Sequence, residues 1–183
     1  MYLGIDQSLL SSGVAVITAT QETEYVGCIE TKKLSGAPRL ACIRNALLGV
    51  IGGTPGISFA ALEGYSMAST HRALDLGELG GIVRLVLHDE GIPFVVVPPK
   101  SLKLFVTGSG DADKEAMRFA TLKKWGVDFN QDDQCDAYGL AQVARSFHRN
   151  AGTTSSELEV LKKLRSVDRK LSLVAYPKSR LSL

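Results

Sequence analysis

Apolar residues run in short blocks at the start of the chain and then take up helical spacing. Tyr2-Leu3-Gly4-Ile5 predicts a buried strand ending at Asp6, Ser11-Ser12-Gly13 a turn, and Val14-Ala15-Val16-Ile17 a second strand. Glu24 to Ile29 completes an antiparallel meander. Leu40, Ile43, Leu47 and Leu48 lie on one side of a helix over 38–51, which Gly52-Gly53-Thr54-Pro55-Gly56 stops. Ile57 to Leu62 reads as another buried strand, ending at Glu63 before a polar stretch. A helix over 71–90 carries Ala73, Gly77, Gly80 and Gly81. Several glycines in a helix imply close approach of another backbone, from the chain's own sheet or from a second subunit. Pro93 to Val97 gives a fifth strand, stopped by Pro98-Pro99. Val106 to Gly110 reads as a glycine-containing loop, and a helix covers 113–125. The last helix of the body opens at Asp132-Asp133 and shows the apolar stripe Leu140, Val143 or Ala144, Phe147.

Composition narrows the class without choosing a function. With 183 residues, 45% hydrophobic and 22% charged, the chain suits one well-buried domain. No apolar run is long enough to span a bilayer, so no membrane role is expected. Cys28, Cys42 and Cys135 have no metal-ligand spacing and suit a reducing cytoplasm. The net charge of +2 divides unevenly. Residues 151–183 hold 7 Lys/Arg and 3 Asp/Glu, a net of +4, which leaves −2 on residues 1–150. A basic tail is compatible with nucleic acid and equally with a solvated terminus.

The acids carry the chemistry. Asp133 and Asp136 stand one helical turn apart at the head of a buried face, where unpaired negative charge is costly. A bound cation with hard oxygen ligands, Mg²⁺ or Mn²⁺, answers that cost. The plainer alternative makes Asp132 an N-cap and its neighbours helix-start acids. Asp6 is either a turn former or a ligand. Together with Glu63 it repeats one arrangement, a strand delivering a carboxylate at the end where ligands bind in sheets with helical crossovers.

In that order, these pieces resemble the RuvC-type Holliday junction resolvases of the RNase H-like superfamily. The likeness lies in Leu3-Gly4-Ile5-Asp6, in Leu62-Glu63 before a loop with Met67, and in Leu76-Gly77-Glu78-Leu79-Gly80-Gly81. It continues through Val97 to Gly110 with Lys103, then Lys114, and closes with Asp133-Gln134-Cys135-Asp136-Ala137, covering about residues 1–148. The resemblance implies an α/β fold with a mixed five-stranded sheet flanked by helices. It implies a metal-dependent endonuclease that resolves four-way DNA junctions by paired symmetric nicks, in recombination and repair. Asp6, Glu63, Asp133 and Asp136 would hold two Mg²⁺ or Mn²⁺ ions, and Lys103 and Lys114 would be the basic active-site residues. Two such ions lie about 4 Å apart in sites of this kind. Branched DNA would also meet Tyr65, Ser66 and Lys100. A homodimer would form through the helix with Gly77 and Gly81, in the cytoplasm of a bacterium or of a host cell infected by a bacteriophage.

The chain departs from the family pattern in three places. Tandem Asp132-Asp133 leaves the third ligand ambiguous, and spacing to Asp136 favours Asp133. The position three residues after the second acid is Ser66, with Tyr65 the nearest aromatic, a ring able to stack on a splayed base. Residues 151–183 stand outside the likeness as an extension to the nuclease domain at 1–150, with Leu158, Leu161 and Leu164 or Arg165 suggesting a short amphipathic helix. Two rivals are a sugar-kinase or actin-like ATPase, for which one Asp-bearing hairpin is too little, and an RNase H-like domain that binds junctions without cutting. A broader flap or branched-DNA nuclease is the alternative within the enzyme class.

Overall fold

A computed structural model describes residues 1–64 and 73–171, with side chains through 167. The elements are β1 (Tyr2–Asp6), β2 (Ser11–Ile17), β3 (Thr23–Glu30), α1 (Gly36–Gly53), β4 (Phe59–Glu63) and α2 (Ala73–Asp89). They continue with β5 (Phe94–Val97), α3 (Pro99–Thr107), α4 (Lys114–Trp125), α5 (Asp132–Arg149) and α6 (Ser155–Leu171). One five-stranded sheet has the order β3-β2-β1-β4-β5. β1 pairs antiparallel with β2 and parallel with β4, and β5 extends the parallel half. The mixed sheet flanked by helices is the architecture expected.

Alternation along the strands divides the core in two. Leu3 and Ile5 of β1, with Ala60 and Leu62 of β4, face α1 and α2. Tyr2 of β1, with Phe59 and Ala61 of β4, faces α3 to α6. Asp6 and Glu63 continue the second series, so both carboxylates emerge on the α5 side. α5 lies directly on that face because β1 and β2 have glycines beneath it. A Cβ at Gly4 would overlap the Ala137 carbonyl and the Ala141 amide, and one at Gly13 would overlap the Asp133 carbonyl. The N-terminus of α5 is thereby pressed over the ends of β1 and β2.

Three expectations need correction and one is narrowed. Gly13 is not in a turn but inside β2, paired with Asp6 and Cys28, because the helix above requires a missing side chain. Val106 and Thr107 are not loop but the last residues of α3. Pro99 occupies the first turn of α3, where a missing N–H costs nothing, and Leu102, Phe105 and Val106 supply its buried face. Of the two partners open to Gly77 and Gly81, the chain's own sheet is not the one, since among the described residues a Cβ at either meets nothing within 4 Å. In α6 the buried stripe is Val160, Leu161 and Leu164, whereas Leu158 is 55% exposed.

Candidate active site

Parallel pairing brings the first two acids together. Leu62 lies opposite Ile5, so the next residue on each strand, Glu63 and Asp6, stands beside its neighbour at the C-terminal edge of the sheet. Their carboxyl groups act on one another, each carrying the other among the influences on its pKa. Asp133 and Asp136 come down from the first turns of α5, one helical turn apart. The charges of Asp133 and Asp136 act on Glu63, and Asp133 acts on Asp6. The structure therefore brings together the four acids singled out from sequence. Among the described residues, no three of them converge on one point at ligating distance.

Electrostatics mark the group as unsatisfied. Burial, then the Glu63 charge, holds the Asp6 carboxyl well above the usual carboxylate range. Burial also raises Glu63, against the hydrogen bond from Asp6, with the Asp136 charge adding to the rise. Asp136 is pushed up to about 7, first by burial and then by the charges of Asp6, Asp132 and Asp133. Each of these groups resists full ionisation until positive charge arrives. The donors are all carboxylate oxygens, the set suited to a hard divalent cation. The residues fit such an ion.

Positive charge approaches from α3 and α4. Lys103, Asp113, Lys114, Met117, Asp132, Cys135 and Asp136 line a cleft of about 230 Å³. Lys103 acts on both Glu63 and Asp136, and among the described residues it forms no ion pair. Asp113 caps α4 by accepting from the Ala116 N–H at 2.8 Å, which fixes Lys114 at the helix start. Lys114 is engaged by Asp132 at 2.6 Å. Lys100 does not line the cleft; it pairs with Asp111 at 2.9 Å on the surface. Tyr65, Ser66 and Met67 lie outside the described residues.

Gln7 was not among the candidate residues, and Asp132 takes a different part from the one expected. Gln7 donates from Nε2 to the Glu63 carbonyl at 2.8 Å and ties the ends of β1 and β4 together. Its Oε1 is buried with no partner among the described residues. A polar residue directly after the first acid was the available signal. Asp132 is not the N-cap, which is Gln131. Both its oxygens are held by cations of α4, Lys114 at 2.6 Å and Arg118 at 2.9 Å. Asp133, not Asp132, is the tandem acid whose charge acts on Asp6.

The profile of one protein family, described as "Crossover junction endodeoxyribonuclease RuvC", matches residues 2–143. The protein of that description from Brachyspira hyodysenteriae is 30% identical over 151 residues, covering 80% of this chain and 94% of the relative. Its counterpart from a Synechococcus is 30% identical over 145 residues, 76% of this chain and 94% of the relative. Among solved structures, "T. thermophilus RuvC in complex with Holliday junction substrate" superposes with a TM-score of 0.66 at 21% identity, covering 76% of this chain and 88% of that one. A second, "Thermus thermophilus RuvC structure", also superposes with a TM-score of 0.66, at 20% identity, covering 81% of this chain and 95% of that one.

Proposed function

Because the chain belongs to the RuvC family of crossover junction endodeoxyribonucleases, we propose that it cuts four-way DNA junctions by hydrolysing one phosphodiester in each of two opposed strands. The observation that carries this reading is the meeting of Asp6, Glu63, Asp133 and Asp136 at one edge of the sheet, with three of the carboxylates held above their ordinary range. These acids hold two divalent ions, Mg²⁺ or Mn²⁺. When bound, such ions lower the pKa of the attacking water and offset charge on the transferring phosphoryl group. The chain's own residues do the remainder. Lys103 and Lys114 bind phosphate oxygens in the cleft and oppose the charge that grows there. Gln7 keeps the two strand ends at fixed separation, and so keeps Asp6 beside Glu63. Tyr65 and Ser66 contact the branch point, and Lys100 the backbone. The enzyme works on DNA in the cytoplasm of a bacterial or infected cell.

Two symmetric nicks require two sites, and α2 supplies a surface for pairing them. Leu74 is 86% and Leu85 54% exposed, and the open glycines Gly77 and Gly81 fall on the same stripe. A second copy can bring its backbone close to those glycines. We infer a homodimer through this face; a monomeric mass by light scattering contradicts it.

The test is cleavage of a labelled four-way junction beside the same sequences as plain duplex and flapped duplex. It runs with Mg²⁺, Mn²⁺ or chelator, for the native chain and Asp6→Asn. Paired nicks on the junction alone, lost with chelator and in the variant, are expected. Cutting spread over flaps gives a broader branched-DNA nuclease, and tight binding without cutting refutes the hydrolytic reading.

A further inference from the structure

We propose that Asp132 is a counter-ion latch, a carboxylate that occupies Lys114 and Arg118 until a DNA phosphate displaces the lysine. The inference rests on the active-site reading above and gives a role to an acid of the cleft outside its ligand set.

Asp132 has no oxygen to spare. Lys114 Nζ meets Oδ2 at 2.6 Å and Arg118 Nη2 meets Oδ1 at 2.9 Å. The two partners differ in freedom. The Lys114 side chain is 79% exposed, against 39% for Arg118 and 27% for Asp132. Arg118 is also tethered through Nη2 to the Asn130 carbonyl at 3.0 Å. Lysine is therefore the part that moves, while Arg118 and Asp132 form the part that stays. Lys103, Lys114, Asp132 and Asp136 line the same cleft, so a phosphate that reaches Asp136 passes beside the latch. It takes Lys114 by offering a second anion, and Arg118 stays behind to cover the carboxylate left without the lysine. Without Arg118, that bare charge would face the incoming backbone.

Ion pairs between exposed groups are weak, so the latch sets a threshold for DNA entry without sealing the cleft. Its effect falls hardest on DNA held by phosphate contacts alone, because such binding is purely electrostatic. Plain duplex is that case, while a junction adds contacts of shape. Asp132 thus trims occupancy of the site by duplex.

The experiment measures binding of labelled junction and duplex by anisotropy, with Ca²⁺ as the divalent ion, across about 50–200 mM salt. It uses the native chain, Asp132→Asn, Lys114→Met and the double variant, with Mn²⁺ binding followed by calorimetry. For Asp132→Asn we expect binding tighter by about two- to fivefold, more for duplex than for junction, and Mn²⁺ affinity unchanged. The plot of log affinity against log salt should steepen by about 1, since the cleft gains one net positive charge. The gain should vanish in the Lys114→Met background, because the latch acts through that lysine. Native affinity and salt slope in Asp132→Asn overturn the latch. So does loss of Mn²⁺ binding, which would make Asp132 a ligand. Asp136→Asn separates the two readings. If it loses Mn²⁺ binding while Asp132→Asn keeps the native salt slope, the latch alone fails. If it keeps Mn²⁺ binding and cuts junctions, the site reading fails and the latch with it.

Discussion

Glu157, near the start of α6, is 5% exposed, and Asp6, at the end of β1, is 7% exposed. Both are buried carboxylates at the end of an element, and they meet opposite surroundings. Glu157 accepts from Lys124 Nζ at 3.0 Å, from the Thr153 amide at 2.7 Å and from the Thr153 hydroxyl at 2.8 Å. Burial pushes Glu157 up, but the hydrogen bonds from Thr153 and Lys124 outweigh it and leave the group below its ordinary range. Asp6 faces Glu63 and Asp133, with Lys114 the weakest of the influences upon it, and it rises. Local partners complete the first acid, which then serves to dock α6. Among the described residues no cation pairs with the second, and burial and like charges hold it up instead. Burial alone does not distinguish structure from function; what meets the carboxylate does.

The largest effect that sharpens this contrast is on rate. Asp6→Asn should lower junction cleavage by at least about 10²–10³-fold, the scale at which loss of one stabiliser of transition-state charge is felt. Single-turnover gels check it. Glu157→Gln should leave the rate of the folded fraction within about twofold, because Glu157 does not line the cleft. It should instead cost stability, about 1–3 kcal/mol. The glutamine oxygen can replace only one carboxylate oxygen, so either the Lys124 bond or the Thr153 pair is lost and what remains is no longer charge-assisted. Urea melts check that figure. Equal rate losses in the two variants would erase the distinction.

Next in size is the pH dependence of stability without metal. Asp136 has a folded value of about 7 against about 3.9 unfolded, so the folded chain binds more protons between those values. Stability from this group is full below about pH 4 and is lost as pH rises toward 7, and Asp6 and Glu63 act in the same direction. Glu157 has the opposite sign. Its folded value is lowered, so its contribution is present above about pH 4.3 and is lost as pH falls through the folded value. Asp136→Asn should therefore stabilise the metal-free chain by up to about 4 kcal/mol near pH 8 and by almost nothing near pH 4. Chemical denaturation at the two pH values checks both numbers. A stabilisation independent of pH would place its origin elsewhere.

The smallest effect on either carboxylate should come from the other face of the sheet. Leu85→Glu places a charge on the exposed stripe of α2 and should halve the mass seen by sedimentation. Monomer stability should change by no more than about 0.5 kcal/mol, and Mn²⁺ binding should not change.

The acids were legible because each ends an apolar run or opens an apolar stripe, a break that a sequence displays directly. Lys103 and Lys114 were not legible in this way, since a lysine between glycines and prolines looks like any surface lysine, and only family likeness marked them. α3 was missed because Pro98-Pro99 reads as a stop, when the second proline is also a favourable helix start. Gly13 was misplaced because its reason lies on α5, over a hundred positions away in the chain. Gln7 and Asp132 depend on which groups meet across elements, and no local pattern encodes that. Asp132 differs from Asp133 only in having two cations of α4 within reach.

The most direct measurement is a pair of thermal melts, native chain and Asp6→Asn, at about pH 8 with chelator and then with Mn²⁺. If the buried acids await a cation, the variant melts above the native chain in chelator, and Mn²⁺ raises the melting point of the native chain far more than that of the variant. A variant that melts lower in chelator and still responds to Mn²⁺ as the native chain does would show that Asp6 belongs with Glu157, an acid already satisfied by the fold.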